Sequence, residues 1–311
     1  MGLLVYAKSI MSTFLSYIAD ELRANYDDTF WWRNRLLHRV VGPLQGLIYG
    51  TDGIDVMGED WDTLIILDAC RADTFEEVAD LERFDEYRVV TSRASATPEF
   101  VAEHYVGKEF GDTVYVNSNP HISRDAPGSF HHRYDLWDEA FDEEYGTVLP
   151  ATSKEWALRT AREYPNKRMI VHYNQPHGPY IGEDRIEWDY DLARGSGEAL
   201  KKGLVSEDAF RRAYRANLVE ALPTALDIAA EVPGRTVITS DHGELFGKRQ
   251  FPIPLRAYAH PPGLRDPDLV RVPWAVIEGD ERPEIVDDGV QMRQAKTDVV
   301  NERLEDLGYK V

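Results

Sequence analysis

The chain has 311 residues, 43% of them hydrophobic, and a formal net charge of −20 from 35 Lys plus Arg against 55 Asp plus Glu. It is long enough for one large domain or two small ones, and too apolar to be a disordered or fibrous chain. A single cysteine, Cys70, excludes an intramolecular disulfide and a thiolate metal cluster.

The first 19 residues are mostly apolar but carry Lys8, Ser9, Ser12 and Ser16, with no convincing cleavage site and too short an apolar run to span a bilayer. Leu3, Ala7, Ile10, Phe14 and Ile18 recur at helical spacing and predict an amphipathic helix packed on the domain. The segment 31–50 places Arg33, Arg35, His38 and Arg39 beside Trp31, Trp32 and Leu36, a local basic-aromatic patch in an acidic chain. It could touch a membrane surface or a partner, or bridge to acidic surface. Residues 1–55 therefore read as an N-terminal helical extension and 56–311 as the main domain. The expected location is the cytoplasm, with membrane association through residues 1–50.

From Trp61 the pattern changes. LIILD is a short apolar run ending in a carboxylate, the mark of a buried strand feeding a loop. Further strands are predicted over 87–92, 112–118, 168–174, 235–241 and 272–279, and helices over 74–83, 96–106, 153–163 and 206–230, with a terminal helix in the tail. Alternating strands and helices predict an α/β chain: a three-layer α/β/α sandwich with a largely parallel, mixed central sheet. There is no glycine-rich phosphate loop. A −20 chain repels phosphate and shows no long basic stripe, so nucleic acid is not an expected partner. With 26 Arg but only 9 Lys, the acidic surface fits a protein working in very high salt.

In an open parallel sheet, ligands bind beyond the carboxyl ends of the strands. Four such ends carry metal-capable or titratable residues: Asp68; Asp241 and His242; His172 with His177; and His260. Two strand-end carboxylates and an adjacent imidazole suit one divalent cation. A nucleophile is expected in TSRASATPEF, residues 91–100, where hydroxyls stand between a strand and a helix start. There a hydroxyl can ligate a cation and ionise, or merely cap the helix.

These segments resemble the alkaline phosphatase superfamily on its sulfatase-like branch. LIILDACRAD, SRASATPEF, NQPHGPY, TSDHGE and YAHPPGLRDPDLVRVPWAVI fall in that family's order over roughly residues 60–280. The resemblance implies that Asp68, Asp241 and His242 hold a divalent cation with the nucleophile oxygen. It implies that His177 and His260, with His172 a further candidate, contact the oxyanion or leaving group or help bind a second metal. Arg71 or Arg93 would bind anion oxygens. Ser95 is the preferred nucleophile and metal ligand, because relatives of the lipoteichoic-acid-synthase type carry theirs four residues before a Glu-Phe pair, here Glu99-Phe100. Thr97 is the alternative.

The chain departs from the sulfatase pattern at Ala69, where many sulfatases have a second Asp. Cys70 lies outside a Cys-x-Pro-x-Arg motif, which argues against formylglycine. Asp184 and Asp189 are the candidates for further metal ligands. One cation is expected, with oxygen-rich ligation favouring Mn²⁺ over Mg²⁺, Zn²⁺ or Ca²⁺. The reaction expected is hydrolysis or transfer of phosphate mono- or diesters through a covalent phosphoseryl intermediate, on an anionic substrate linked to carbohydrate or lipid. A sulfuric ester hydrolase without formylglycine and an inactive binding module are the alternatives. The loop from Tyr180 to Lys202, with Trp188 and Tyr190, could cover the cleft or pack locally.

Overall fold

A computed structural model of the chain describes residues 29–188, 192–193, 195–293 and 297–307. The helix expected over the first 19 residues lies outside them, as do Asp189 and Tyr190. The strands are β1 (Thr63–Leu67), β2 (Glu86–Thr91), β3 (Phe110–Asn117), β4 (Phe130–Asp135), β5 (Arg168–Tyr173), β6 (Arg235–Thr239), β7 (Leu245–Arg249), β8 (Arg256–Ala259) and β9 (Arg271–Glu278). Seven of them form one sheet in the order β2-β9-β6-β1-β5-β3-β4, and β7 and β8 form a separate hairpin. β1 pairs in parallel with β5 and β6, and β3 with β4 and β5. β9 runs antiparallel to both β2 and β6, so it is the one reversed strand of the sheet.

Residues 29–49 form one helical run: α1 (Thr29–Leu36), a π-helical segment (Leu37–Val41) and α2 (Gly42–Tyr49). Its inner face seats Leu37 and Val41 against Leu245, Ala257, Leu264 and Leu269. Gln45 extends that contact: its Nε2 donates to Gln250 Oε1 and the Phe251 carbonyl, and its Oε1 accepts the Arg265 N–H. No helix among the described residues is long and apolar enough to cross a membrane.

β1 is buried along its whole length, and its side chains alternate between two cores. Ile65 and Leu67 join a cluster with Val116, Val171, Leu218, Ala221 and Ile228. Leu64 and Ile66 join the opposite cluster, with Trp61, Phe100, Tyr105, Tyr115 and Ile170. Helices on both faces complete a three-layer α/β/α sandwich. One face carries α3 (Ala72–Val78), α7 (Pro150–Glu163) and α9 (Glu207–Glu231). The other carries α4 (Thr97–His104) and α5 (Pro120–Asp125). Two short helices, α6 (Leu136–Glu139) and α8 (Ser196–Lys202), lie in the connections. The long helix α9 starts where Ser206 Oγ accepts the Ala209 N–H, with Glu207 and Asp208 in its first turn.

The six strands expected from the sequence are present, with β4 and the β7–β8 hairpin in addition. β4, FHHRYD, is an edge strand, and its charged and polar alternation hides the apolar signal that marked the central strands. The hairpin is short and sits outside the main sheet.

The close approach of the run 29–49 to the domain needs a glycine. A Cβ at Gly42 would stand 2.5 Å from the Gly263 carbonyl oxygen. Gly42→Ala gains about 1 kcal/mol of helix propensity but forces two backbones apart, which costs about 1–3 kcal/mol. We expect a net loss of stability and a lower thermal midpoint for Gly42→Ala, whereas Gly46→Ala, whose Cβ would meet only a Thr51 methyl at 3.4 Å, should hold or raise it. Thermal melts of the two variants check this.

Candidate active site

Parallel strands deliver their carboxyl ends to one edge of the sheet, and the polar residues gather there. Asp68 follows β1, and Asp241 and His242 follow β6. All three are buried, and one ligand atom from each lies within 4.8 Å of the others. The chain turns sharply to reach this place. Ala69 adopts φ +61°, and Ala259, directly before His260, adopts φ +58°. They are the two non-glycine residues in the left-handed region among the described residues, and each flanks a site residue. The turn at Ala69 aims its N–H at Asp241 Oδ1, 3.0 Å away, while its carbonyl accepts the Tyr214 hydroxyl at 2.6 Å. Asp241 Oδ1 also accepts the His242 N–H.

Thr97 opens α4 and points into this cluster. Its hydroxyl donates to Asp241 Oδ2 at 2.8 Å and lies 3.2 Å from His242 Nε2. Ser95, two residues earlier, is turned elsewhere. Its hydroxyl donates to Glu99 Oε2 at 2.9 Å and contacts the Pro261 carbonyl at 3.1 Å, and its N–H is also taken by Glu99. The four-residue spacing from Ser95 to Glu99 thus serves the turn into the helix: Glu99, three residues past the N-cap Ala96, reaches back to the Ser95 N–H and hydroxyl just before the cap. The structure brings Thr97, and not Ser95, to the cluster.

The donor set fits a divalent cation. His242 Nδ1 lies 2.8 Å from the Gly243 carbonyl oxygen, which can only accept, so Nδ1 carries the hydrogen. Nε2 is then a lone pair, 3.3 Å from Asp241 Oδ2 and 3.7 Å from Asp68 Oδ1. A buried lone pair facing two buried carboxylates is repulsive unless a proton or a cation lies between them. Burial pushes the His242 pKa down, which disfavours the proton. For Asp241, burial raises the pKa, but His242, His172 and the Ala69 and Thr97 donors together bring it below the usual carboxylate range. Two carboxylates, one hydroxyl and one imidazole give the oxygen-rich set of a hard or borderline metal.

Two residues outside the expected set hold this cluster. Asn119, N-cap of α5 after β3, donates from Nδ2 to Asp68 Oδ2 at 2.7 Å and accepts the His121 N–H. Tyr115 on β3 bonds His172 Nδ1 at 2.9 Å. Their only sequence signal was a strand running into the polar stretch NSNPH, without spacing to any partner.

A second group lies alongside. His177, Glu244 and His260 also bring ligand atoms within 4.8 Å of one another. His260 links the two groups: its ring centroid is 4.7 Å from that of His242 and 5.0 Å from that of His177. Its Nδ1 lies 3.0 Å from Glu244 Oε2. Glu244 is 2% exposed, and its Oε1 has no hydrogen-bond partner among the described residues. His177 Nδ1 lies 2.7 Å from the Gly178 carbonyl, which leaves Nε2 as a lone pair, and burial lowers its pKa to about 4. Glu244 belongs to the DHGE segment, but only the folded hairpin sets it against His260.

The remaining candidates have other roles. The Arg71 guanidinium is committed to Asp73, to Asp268 at 3.2 Å and to the Glu244 carbonyl at 3.0 Å, so it anchors the loop that carries Glu244. Arg93 donates to the Gly53 carbonyl at 3.0 Å and faces a separate cleft of about 920 Å³ between α2 and α4. His172 sits within β5 beneath the cluster, fully buried. Asp184 pairs with Arg212 at 3.6 Å. Cys70 is buried, its thiol pKa raised by desolvation. Trp188 donates to the Ala193 carbonyl and packs with Tyr180, Phe210 and Tyr258, so this part of the 180–202 loop packs locally.

Comparisons with known proteins give fold-level likeness. No protein-family model matches the chain, and no curated protein sequence matches it significantly. Among solved structures, it is similar to the soluble domain of lipooligosaccharide phosphoethanolamine transferase A from Neisseria meningitidis, with 14% identity, 70% of this chain and 76% of that chain covered, and a TM-score of 0.46. For the integral membrane form of that transferase the values are 13%, 89%, 60% and 0.47, so the chain spans about 60% of its length. A protein in the alkaline phosphatase superfamily from Vibrio parahaemolyticus gives 11%, 81%, 67% and 0.40. At these values the chemistry has to come from the residues themselves.

Buried neutral histidines make a pH signature. Burial lowers the pKa of both His104 and His172 to about 4, against 6.5 ordinarily. Between pH 6.5 and 4 the unfolded chain takes up protons there and the folded chain does not. Stability is therefore full above pH 6.5 and falls as pH drops toward 4, by up to about 3 kcal/mol per histidine. We expect the urea midpoint of chelator-treated protein to decline over that window, and the decline to be shallower in His104→Gln.

Proposed function

We propose that the chain is a metal-dependent enzyme that hydrolyses or transfers phosphate esters, with Thr97 as its nucleophile. One observation carries this: a helix-start hydroxyl, 2.8 Å from Asp241 Oδ2 and 3.2 Å from His242 Nε2, is buried in one cluster with Asp68. Asp68, Asp241, His242 and Thr97 Oγ1 would hold the cation. When bound, it would lower the hydroxyl pKa and neutralise charge on the transferring group. Mn²⁺ is the preferred ion for three oxygen donors and one nitrogen.

Thr97 Oγ1 attacks phosphorus, its proton moving toward Asp241 Oδ2, and the bond to the leaving oxygen breaks. First-turn N–H groups of α4, which a helix leaves without internal partners, favour the anionic oxygens. The leaving oxygen takes its proton from His260, whose Nδ1–H is held by the Glu244 carboxylate. His177 suits the reverse step, because its Nε2 lone pair can accept a proton from water or an acceptor hydroxyl. As that oxygen attacks phosphorus the bond to Thr97 Oγ1 breaks, Thr97 Oγ1 takes its proton back from Asp241, and the proton held by His177 passes to His260, 5.0 Å away between ring centroids, which resets the site. Water makes the enzyme a hydrolase, and a sugar or lipid hydroxyl makes it a transferase. Ser95, Arg71 and Arg93 have no direct part, since their polar groups are engaged elsewhere.

The test is turnover of an aryl phosphate, a bis-aryl phosphodiester and an aryl sulfate by metal-loaded protein. Phosphoester turnover is expected, and aryl sulfate turnover alone would move the assignment to a sulfatase. Thr97→Ala should lower kcat about 10³-fold or more, Thr97→Ser should restore part of it, and Ser95→Ala should cost less than about tenfold. Acid-quenched protein should carry phosphate on Thr97.

Metal content separates the two clusters. One bound Mn²⁺ per chain is expected by elemental analysis, lost in Asp241→Ala and kept in His260→Ala. Two ions per chain, one lost in each variant, would make the His177, Glu244, His260 group a second metal site. Tight binding without turnover on any ester would favour a binding module.

A further inference from the structure

Two members of the second group stand at the two feet of one hairpin. Glu244 directly precedes β7 and His260 directly follows β8, and Leu245 and Ala259 are paired between them. The 3.0 Å contact of His260 Nδ1 with Glu244 Oε2 therefore depends on where this hairpin lies. β7 and β8 pair with each other and with no strand of the main sheet. A two-stranded hairpin is only marginally stable by itself, so its position is set by what packs on it.

Two sets of contacts do this. Toward α8 and α9, Phe246 packs edge-on against Phe210 and Tyr214, and a Cβ at Gly197 would stand 2.9 Å from the Ala259 Cβ. The second set comes from the helical run 29–49, where Leu37 and Val41 bury against Leu245, Ala257 and Leu264. Gln45 is fully buried there and ties the tip of the hairpin to the segment after His260. Its Nε2 donates to Gln250 Oε1 and to the Phe251 carbonyl, both at 3.0 Å, and its Oε1 accepts the Arg265 N–H at 2.7 Å. Arg265 in turn donates to the Gly50 and Asp52 carbonyls, each at 3.2 Å, just past the end of the run. The ion pair of Lys248 with Asp266 also joins hairpin and return segment, but Lys248 is 42% exposed and such pairs contribute little. One buried amide from a distant part of the chain thus spans both ends of the hairpin.

We propose that the helical run 29–49 is the support that places the proton donor, with Gln45 as the positioning residue for His260. The proposal rests on the phosphate-ester reading, in which His260 protonates the leaving oxygen. The metal-capable cluster is supported elsewhere: Asp68, Asp241 and His242 follow β1 and β6 of the main sheet, and Thr97 opens α4. Loosening the run therefore spares attack and impairs the departure of oxygens that need a proton. A donor displaced by about 1 Å can lose about 10²-fold in rate. Removing the Gln45 amide leaves the buried Gln250 Oε1 and Arg265 N–H without their partner, which favours opening of the contact.

The experiment compares two leaving groups on the Mn²⁺-loaded full chain, as phosphate monoesters and diesters: 4-nitrophenyl, which departs without a proton, and phenyl, which needs one. His260→Ala should cut phenyl ester turnover about 10²-fold or more and 4-nitrophenyl ester turnover less than about tenfold. Gln45→Ala should show the same selectivity, about tenfold or more on phenyl and within about threefold on 4-nitrophenyl, with metal content unchanged. In the double variant the phenyl loss should equal that of His260→Ala alone, because nothing is left to position. Gln250→Ala removes the same bond from the hairpin side and should reproduce the pattern where Gln45→Ala fails to fold. Amide exchange over residues 244–260 should quicken at least about tenfold in either variant, while that over 63–70 and 235–243 stays as in wild type. Equal losses on both leaving groups, additive losses in the double variant, or unchanged exchange overturns the proposal. Wild type that turns over no ester, or Thr97→Ala that keeps full turnover, overturns the ester reading instead, and the exchange pattern then decides whether Gln45 holds the hairpin.

Discussion

Four buried polar side chains meeting at the carboxyl edge of one sheet set the terms for this molecule. Asp68, Asp241 and His242 are each no more than 1% exposed, and Thr97 is fully buried with them. Packed without compensation, they would put two carboxylates and an imidazole lone pair into a low-dielectric space, an arrangement worth several kcal/mol of destabilisation. The hydrogen-bond network around them answers part of that cost: Ala69, His242 and Thr97 donate to Asp241, and Asn119 donates to Asp68. A divalent cation would answer the rest. On the proposed function the same cation would also stabilise negative charge developing on a transferred group.

Rigidity follows from the same place. The site residues come from the ends of β1, β5 and β6 and from the start of α4, all anchored in the two cores that sandwich the sheet. Arg71 ties the loop after β1 to the loop after β6 through the Glu244 carbonyl, and Tyr214 on α9 closes on both Ala69 and Arg71. Left-handed backbone at Ala69 and Ala259 is tolerated because these contacts over-determine it. His260, held by Glu244, stands between the two groups, its ring 4.7 Å from that of His242. On the proposed function, attack and proton transfer would need no rearrangement of this scaffold.

The buried polar cluster and the helical run 29–49 occupy different layers of the molecule. The buried donors are drawn inward by the sheet, whereas the helical run 29–49 lies outside it and leaves Leu36, Val40 and Leu47 exposed. Gly42 and Gln45 make the inner contact close, so the run is held against the domain.

The amino-acid sequence determined the strands and the metal-capable residues by local rules. Apolar runs such as TLIIL and RMIV become central strands because nothing else buries them on both sides. Asp68, Asp241 and His242 stand where those runs end, so their convergence was legible before any coordinate. What only the tertiary structure decided is which hydroxyl joins them. Ser95 and Thr97 are two residues apart at one helix start, and sequence spacing to Glu99 favoured Ser95. That spacing encodes a local hydrogen bond, whereas the contact of Thr97 with Asp241 spans 144 residues. Asn119 with Asp68, and Glu244 with His260, were hidden for the same reason: each pairing is set by loop geometry, not by composition. Short-range patterns fix which residues end a strand or open a helix. Which side chain then faces a partner from a distant strand depends on backbone turns that the whole packed sheet imposes.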